Sequence, residues 1–262
     1  MGTSQSISPG VSGDPNWGQT SSAVSNFANS VGKEIENPSI INNPRYNARR
    51  EAKLKNILGK YVKAAGGRGS MSSGKSSKGG KAAISTASSF GSFLNVVSSG
   101  NLSSYSEDKG LTSFATRSKE EIVNFLLDDI CGATTNFDEG AAKSALDKLL
   151  NELLENANSS SEIDELLQDK IAEDGIESIL IDFFGTYIFE HLSQPLQERL
   201  FEQKGEDICN KTMDEIREFI NSELETINST TGINTVNWDN PSDCERISKE
   251  IFDNVLKIFE DE

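Results

Sequence analysis

The chain has 262 residues, 35% of them hydrophobic and 25% charged, and its formal net charge is −16. The charge is unevenly divided, since residues 1–106 hold 12 Lys and Arg against 4 Asp and Glu, and residues 107–262 hold 13 against 37. The acidic part should repel nucleic acids and anionic membranes, and no apolar run approaches the roughly 18 residues that a membrane span requires. These values predict one or two domains in a chain that does not fold along its whole length.

The chain opens with Met1, Gly2, Thr3 and Ser4. Aminopeptidases normally remove a methionine that precedes glycine, which would leave a primary amine on Gly2. A free α-amine has a reference pKa of about 7.7–8.0, so roughly a tenth of it is uncharged and nucleophilic at neutral pH. Gly2 is therefore the candidate acceptor of a covalent modification. Thr3 and Ser4 supply small hydroxyl groups by which a partner could recognise this terminus.

Residues 1–43 consist mainly of Ser, Gly, Asn, Thr and Pro. This composition predicts a flexible tail with at most a short helix around residues 23–31. A flexible chain of this length has an r.m.s. reach of roughly 35–40 Å. Such a tail could deliver Gly2 to a partner's active site while the rest of the protein is docked elsewhere.

A basic helix is predicted next, because Asn43 and Pro44 are typical of an N-cap and a first helical position, and Gly66-Gly67 is typical of a helix end. Its polar face carries a set of cations that we call the basic neck: Arg45, Arg49, Arg50, Lys53, Lys60 and Lys63. Three interpretations stay open, namely a helix docked on the acidic part, a surface for phosphate or nucleic acid, and a helix on a membrane surface. If the neck binds a partner by charge, replacing Arg45, Arg49, Arg50 and Lys53 by Glu should weaken complex formation.

Residues 66–80 contain only Gly, Ser, basic residues and Met71. Within them, residues 69–76 satisfy the literal phosphate-loop pattern G-x-x-x-x-G-K-[ST]. A working phosphate loop follows a buried strand and opens a helix, so that backbone amides converge on the phosphates. Here a basic helix precedes the pattern and more Ser, Gly and Lys follow it. A flexible linker is therefore predicted, in which Lys75 binds no nucleotide.

Helical periodicity predicts a small Ser-rich helix at residues 82–99 and then an acidic helical domain. Ser118 with Glu121, and Ser242 with Glu245, are the capping pairs of its first and last helices. Between them, helices are predicted at residues 141–156, 176–192, 195–204 (beginning at Pro195) and 206–227, with 176–192 as the buried centre because it is apolar nearly all round. The predicted fold is all-α, a bundle of six or seven helices at residues 101–262. It is preceded by the disordered tail at 1–43 and by the basic neck, linker and small helix at 44–100.

Groups suited to catalysis are sparse. The single histidine, His191, falls in the buried-type helix and is predicted to be structural or at a solvent edge. The three cysteines, Cys131, Cys209 and Cys244, lie far apart without Cys-x-x-Cys spacing, which predicts reduced thiols in a cytoplasmic protein. This set predicts neither a metal site nor a Cys/His dyad, so the chain is not expected to be an enzyme.

Three segments carry a resemblance to a known family: the opening MGTSQS, the basic residues 44–67 leading into the Gly/Ser/Lys stretch, and the ending from Ile251-Phe252 to Phe259-Glu260. In this layout the chain resembles the QatB family of bacterial Qat anti-phage systems, with a sparser, lysine-richer stretch after Gly67. The resemblance implies a non-enzymatic component acting with a QueC-like enzyme (QatC-like), an ATPase (QatA-like) and a TatD-like nuclease (QatD-like). QueC-like enzymes activate a carboxylated deazaguanine with ATP and pass it to an amine, which in related defence systems belongs to an N-terminal glycine. No cofactor is implied beyond a covalent deazaguanine-type modification at Gly2.

Three functions are carried forward. The first is an acceptor and scaffold protein modified at Gly2. The second is a lipid-anchored adaptor, because Met1-Gly2 with Ser6 fits the myristoylation pattern M-G-x-x-x-[ST]; a bacterial origin would exclude it, since the lipid-transferring enzyme is eukaryotic. The third is a nucleic-acid- or membrane-binding adaptor that uses residues 44–81, where only Tyr46 and Tyr61 could stack on bases.

Overall fold

The computed structural model describes residues 15–100, 102, 105, 107, 109, 117–157, 159–228, 238 and 240–260. These residues contain no strand, which confirms the predicted all-α class. They form one 3₁₀ turn at Pro38–Asn42 and nine α-helices: α1 (Pro15–Glu36), α2 (Pro44–Ala64), α3 (Arg68–Ser72), α4 (Lys81–Ser98), α5 (Lys119–Cys131), α6 (Phe137–Leu153), α7 (Ser160–Lys204), α8 (Glu206–Asn228) and α9 (Pro241–Ile258).

Local capping residues determine where several helices begin. Asn43 accepts a hydrogen bond from the backbone N–H of Arg45 at 3.0 Å, and Ser118 with Glu121 forms the predicted capping box. Helix α9 departs from its prediction, because the side chain of Asn240, not Ser242, is the N-cap. Pro241 fits the first helical position, where no N–H is needed, so the cap falls on the residue before it.

Helix α7 is the central element and also differs from its prediction. Its interruption at Gly175, whose φ of +81° favours glycine, agrees with the predicted helix start at residue 176. The part of α7 that precedes Gly175 was not predicted. The prediction that a separate helix begins at Pro195 is wrong, since α7 continues through Pro195 to Lys204. A proline removes one helical hydrogen bond, but the apolar face continues on both sides of it because Leu192, Leu196 and Leu200 are all buried.

The predicted buried centre of the fold is confirmed. Phe183, Phe184 and Tyr187 of α7 are fully buried. They lie in one cluster of buried apolar side chains that extends from Trp17 in α1 to Phe259 after α9. Helix α7 contacts α4, α6, α8 and α9, so most of the bundle is organised around it.

The prediction of a flexible tail at residues 1–43 is wrong for the part that the structure describes. Pro15–Glu36 is a helix of 22 residues, and Val24, Phe27 and Val31 on its inner face are at most 2% exposed. The composition concealed this face because Thr20 and other small polar residues lie in the same buried stripe. Helix α1 packs on α2 and α8, so these residues belong to the folded body. The proposed division at residues 43/44 and 100/101 stays a prediction.

The Gly/Ser/Lys stretch after α2 is also ordered, contrary to the predicted flexible linker. Met71 is fully buried, and the hydroxyl of Ser76 donates a hydrogen bond of 2.6 Å to the carbonyl of Ala65 at the end of α2. Glycines let the backbone turn sharply here, with φ values of +112° at Gly66 and +99° at Gly80. The low complexity of this segment therefore reflects tight turns.

Candidate functional site

The proposed acceptor Gly2 and its neighbours Thr3 and Ser4 lie outside the described residues. The described chain starts at α1, and its first buried side chain is Trp17. The Trp17 ring contacts the rings of Tyr61 in α2 and His191 in α7, with centroids 6.2 and 6.0 Å apart. The point at which the N-terminal residues join the folded body is therefore fixed by aromatic packing.

The structure divides the basic neck into residues that serve the fold and residues that face solvent. Arg50 forms ion pairs with Glu34 of α1 at 3.2 Å and with Glu215 of α8 at 2.6 Å. The Nζ of Lys53 donates to the hydroxyl of Ser30 and, at 3.4 Å, to the carbonyl of Asn26. Arg45, Arg49 and Lys63 are exposed, and Lys60 is half-buried. For Arg50 and Lys53 the structure thus favours the interpretation of a helix docked on the body.

A buried polar network surrounds Arg50. The carboxylate of Glu34 is 2% exposed and also accepts a 2.9 Å hydrogen bond from the hydroxyl of Tyr46. It forms a longer ion pair with Lys211, at 3.6 Å. Burial and the neighbouring Glu34 raise the pKa of Tyr46 to about 12. Burial likewise raises the pKa of Glu215, and Arg50 opposes that rise. Arg50 is the cation that joins both carboxylates and so ties α1, α2 and α8 together.

Arg50→Ala should lower the free energy of unfolding by about 2–3 kcal/mol. Breaking a fully buried pair costs roughly 3–5 kcal/mol, and the Arg50 side chain is 30% exposed. Urea denaturation measures the change, with Arg49→Ala as the control, because Arg49 is exposed and its loss should cost about 0.5 kcal/mol or less. Equal effects of the two variants would contradict the network. The four-residue Glu replacement proposed for the neck includes Arg50 and should therefore also destabilise the fold. Weaker binding by that variant would not by itself identify the neck as a binding surface.

The phosphate-loop pattern at residues 69–76 does not form a phosphate loop. The segment follows helix α2, and its backbone amides are used internally: the N–H of Gly74 donates to Met71, and those of Lys75 and Ser76 donate to Ser70. A phosphate loop requires these amides to point outward to the ligand. Lys75 is exposed, and its own backbone N–H is among those used internally.

A cluster of side chains from α6 and α7 holds the end of this segment, and we call it the loop clamp: Asp138, Tyr187 and His191. The carboxylate of Asp138 accepts from the N–H groups of Gly80 and Ala82 at 3.1 and 2.9 Å, so it caps α4 from a distant helix. Gly80 also donates to the hydroxyl of Tyr187 at 2.8 Å. A Cβ added at Gly79 would lie 2.8 Å from the Nε2 of His191, so only glycine fits there.

His191 is fully buried, which excludes the solvent-edge alternative. Its Nε2 lies 2.9 Å from the carbonyl of Lys78, and because a carbonyl only accepts, Nε2 carries the proton. The rings of Tyr61, Phe137 and Tyr187 lie within 5.7 Å of it, centroid to centroid. Burial lowers the pKa of His191 to about 4, below the value of about 6.5 that is ordinary for histidine.

This lowered pKa predicts a loss of stability in acid. The unfolded chain protonates His191 near pH 6.5 and the folded chain only near pH 4, so the neutral histidine should contribute about 3 kcal/mol that is lost as the pH falls through this window. Urea denaturation of wild type and His191→Gln measures the difference in their free energies of unfolding. This difference should shrink by the same amount between about pH 7 and about pH 4. A difference independent of pH would contradict the prediction.

Residues 69–259 match the family described as Qat anti-phage system associated protein QatB. The chain belongs to the QatB family. The match confirms the resemblance, and it covers the loop clamp and α4 to α9. The opening MGTSQS and residues 44–67, which also carried the resemblance, precede the matched range. No curated protein and no solved structure matches the chain.

Several residues that hold this QatB-family structure together carry no signal in the sequence alone. Glu34, Asp138 and Glu215 are three of 41 acidic residues, and nothing local distinguishes them. In the described part of the chain, no group of three or more His, Cys, Asp or Glu side chains is placed to hold a metal ion. No described helix is long and apolar enough to cross a membrane. Cys131, Cys209 and Cys244 are free thiols.

Proposed function

We propose that this QatB-family chain is a non-enzymatic component of the Qat anti-phage system that presents the amine of Gly2 to a QueC-like (QatC-like) enzyme. The observation that supports this proposal is the aromatic anchor at Trp17, which fixes the start of α1 on the bundle. The body of the protein can then dock on a partner while the terminus enters that partner's active site.

The start of α1 at Pro15 sets an upper limit on the reach of the N-terminus. The r.m.s. estimate of roughly 35–40 Å assumed 43 flexible residues, but the helix begins at Pro15. At 3.3–3.6 Å per residue, the segment from Gly2 to Pro15 spans at most about 45 Å. The QueC-like active site should therefore lie within about 45 Å of the surface around Trp17 in the complex.

The reaction requires only an accessible amine from this chain. The uncharged amine of Gly2 attacks the carbon of a carboxyl group that the QueC-like enzyme has activated with ATP. The C–O bond to the ATP-derived activating group then breaks, that group leaves with the bonding electrons, the nitrogen loses a proton to solvent, and an amide remains. The rate gain comes from holding the amine and the acyl carbon within about 3–3.5 Å of each other. Glycine carries no side chain that would crowd this approach. A scaffolding role toward the ATPase (QatA-like) and the nuclease (QatD-like) belongs to the same proposal.

The test is the intact mass of the protein produced with and without the QueC-like enzyme. We expect added mass of deazaguanine type only when the active enzyme is present. The control is coexpression with a QueC-like variant that cannot bind ATP. An unchanged mass under conditions in which the system protects cells from phage would contradict the proposal.

A further inference from the structure

Helices α1 and α2 form an antiparallel pair with a groove along their outer side. Tyr46 near the start of α2 contacts Ser30 near the end of α1, and Tyr61 near the end of α2 contacts Trp17 near the start of α1. Between these points lie two adjoining cavities of about 440 and 450 Å³, which share Ala23, Asn26 and Asn56 as lining residues. Together they form one continuous surface feature, the α1–α2 groove.

The lining of this groove has an unusual composition for an acidic protein. It contains three lysines, Lys33, Lys53 and Lys60, and no Asp or Glu. It also contains the carboxamides of Gln19, Asn26, Asn29 and Asn56, the hydroxyls of Ser22 and Ser30, and no aromatic side chain. The groove is thus positively charged and rich in groups that both donate and accept hydrogen bonds.

Part of this lining is committed within the fold and part is available. Lys53 bonds to α1, as described above, and Asn29 accepts a 2.8 Å hydrogen bond from Lys204. For Lys33, Lys60 and the side-chain amides of Asn26 and Asn56, the structure records no partner within the part of the chain that it describes. Two cations and two amides therefore face the groove without an intramolecular role.

The length of the groove sets the size of its ligand. Its lining runs from Gly18 to Lys33 along α1, which is about 22 Å at the 1.5 Å rise of a helix. An extended peptide advances about 3.3 Å per residue, so about seven residues fit. Carboxamides match the alternating N–H and C=O groups of an extended backbone, and lysines match carboxylates.

We infer that the α1–α2 groove binds an extended acidic segment of a partner protein. Lys33 and Lys60 pair with its carboxylates, and Asn26 and Asn56 bond to its backbone. Charge complementarity favours an anionic ligand, and the lack of stacking rings disfavours single-stranded nucleic acid, which depends on base stacking for much of its affinity. This inference is independent of the chemistry proposed for Gly2.

Fluorescence anisotropy with the full chain tests the inference. The probe is a labelled peptide of about eight residues in which Glu alternates with Ser, and the same peptide with Gln in place of Glu is the neutral comparison. The double variant Lys33→Ala/Lys60→Ala should bind the Glu peptide about five- to tenfold more weakly, since each exposed ion pair contributes up to about fivefold in affinity. The matched control, Lys75→Ala/Lys81→Ala, removes the same charge from two exposed lysines outside the groove and should change the Kd less than about twofold.

A second variant separates hydrogen bonding from charge. Asn26→Ala/Asn56→Ala leaves the net charge unchanged and should weaken binding of the Glu peptide by about fivefold, because two hydrogen bonds are lost. The effect of Lys33→Ala/Lys60→Ala on the Kd should also be smaller at about 200 mM salt than at about 20 mM, because salt screens exposed charges. The inference is overturned if the peptide does not bind or if the control pair weakens it as much as the lysine pair. It is also overturned if a labelled oligothymidylate binds the groove more tightly than the peptide.

Discussion

Gly2→Pro is expected to abolish protection against phage while leaving the fold intact. Proline makes the amine secondary and fixes φ, which hinders attack on an acyl carbon that must be approached closely. The change lies outside the described residues, among which Trp17 is the first with a buried side chain. Plaque counts should therefore rise to those of cells lacking the system, with an unchanged midpoint of thermal unfolding.

Two further variants distinguish the reasons for such a loss. Deletion of residues 2–4 should abolish protection as fully as Gly2→Pro, because it removes Thr3 and Ser4 with the acceptor. Ser6→Ala removes the last position of the myristoylation pattern and should leave protection unchanged. Protection by both the proline variant and the deletion would show that the helical body carries the function. Loss on Ser6→Ala alone would favour the lipid-anchored alternative.

Phe27→Ala should cost about 3–5 kcal/mol of stability, the range observed when a buried phenylalanine is truncated. Phe27 is 0% exposed in α1 and is surrounded by the continuous core of the bundle. Because folded domains are stable by only about 5–15 kcal/mol, the loss should be evident as a large drop in the urea midpoint.

The control for Phe27 lies on the same helix. Ile35 is 44% exposed, so Ile35→Ala should change the stability by about 0.5 kcal/mol or less. If residues 15–36 were a flexible tail, both variants would unfold at the wild-type midpoint. Phe27 therefore tests whether α1 is part of the folded body, and the anchor at Trp17 depends on that result.

The elements that sequence reasoning predicted well are those whose signals are local. Asn43-Pro44 at the start of α2 and the Ser118 capping box of α5 are short-range motifs, and both form as predicted. The apolar run around Phe183 was predicted to be central because a helix that is apolar nearly all round must be buried. Capping residues and hydrophobic periodicity are sufficient to predict such elements.

The elements that sequence reasoning missed depend on contacts with residues far along the same chain. The Gly/Ser/Lys stretch is ordered because Asp138 and His191 hold residues 78–82 from helices that are 56 to 113 residues away. Nothing local distinguishes Arg50 from the other cations of the basic neck, because its partner Glu215 is 165 residues distant. Composition predicts disorder for such segments because it cannot account for contacts that form only in the folded state.

The candidate site was predicted in part. A positive surface on the N-terminal helices is present, but Lys33 lies in a segment expected to be a tail, and Arg50 and Lys53 are used by the fold. The role of Gly2 stays a prediction, since it depends on chemistry supplied by another protein and not on the packing of this chain.

Tandem mass spectrometry of the N-terminal peptide, from protein produced with its QueC-like partner, tests the central claim most directly. We predict that the added mass is confined to the α-amine of Gly2, with Met1 removed, and that it is absent from every lysine, including Lys75 in the ordered loop. An adduct on a lysine, or an unmodified Gly2 in protein from cells that resist phage, would contradict it.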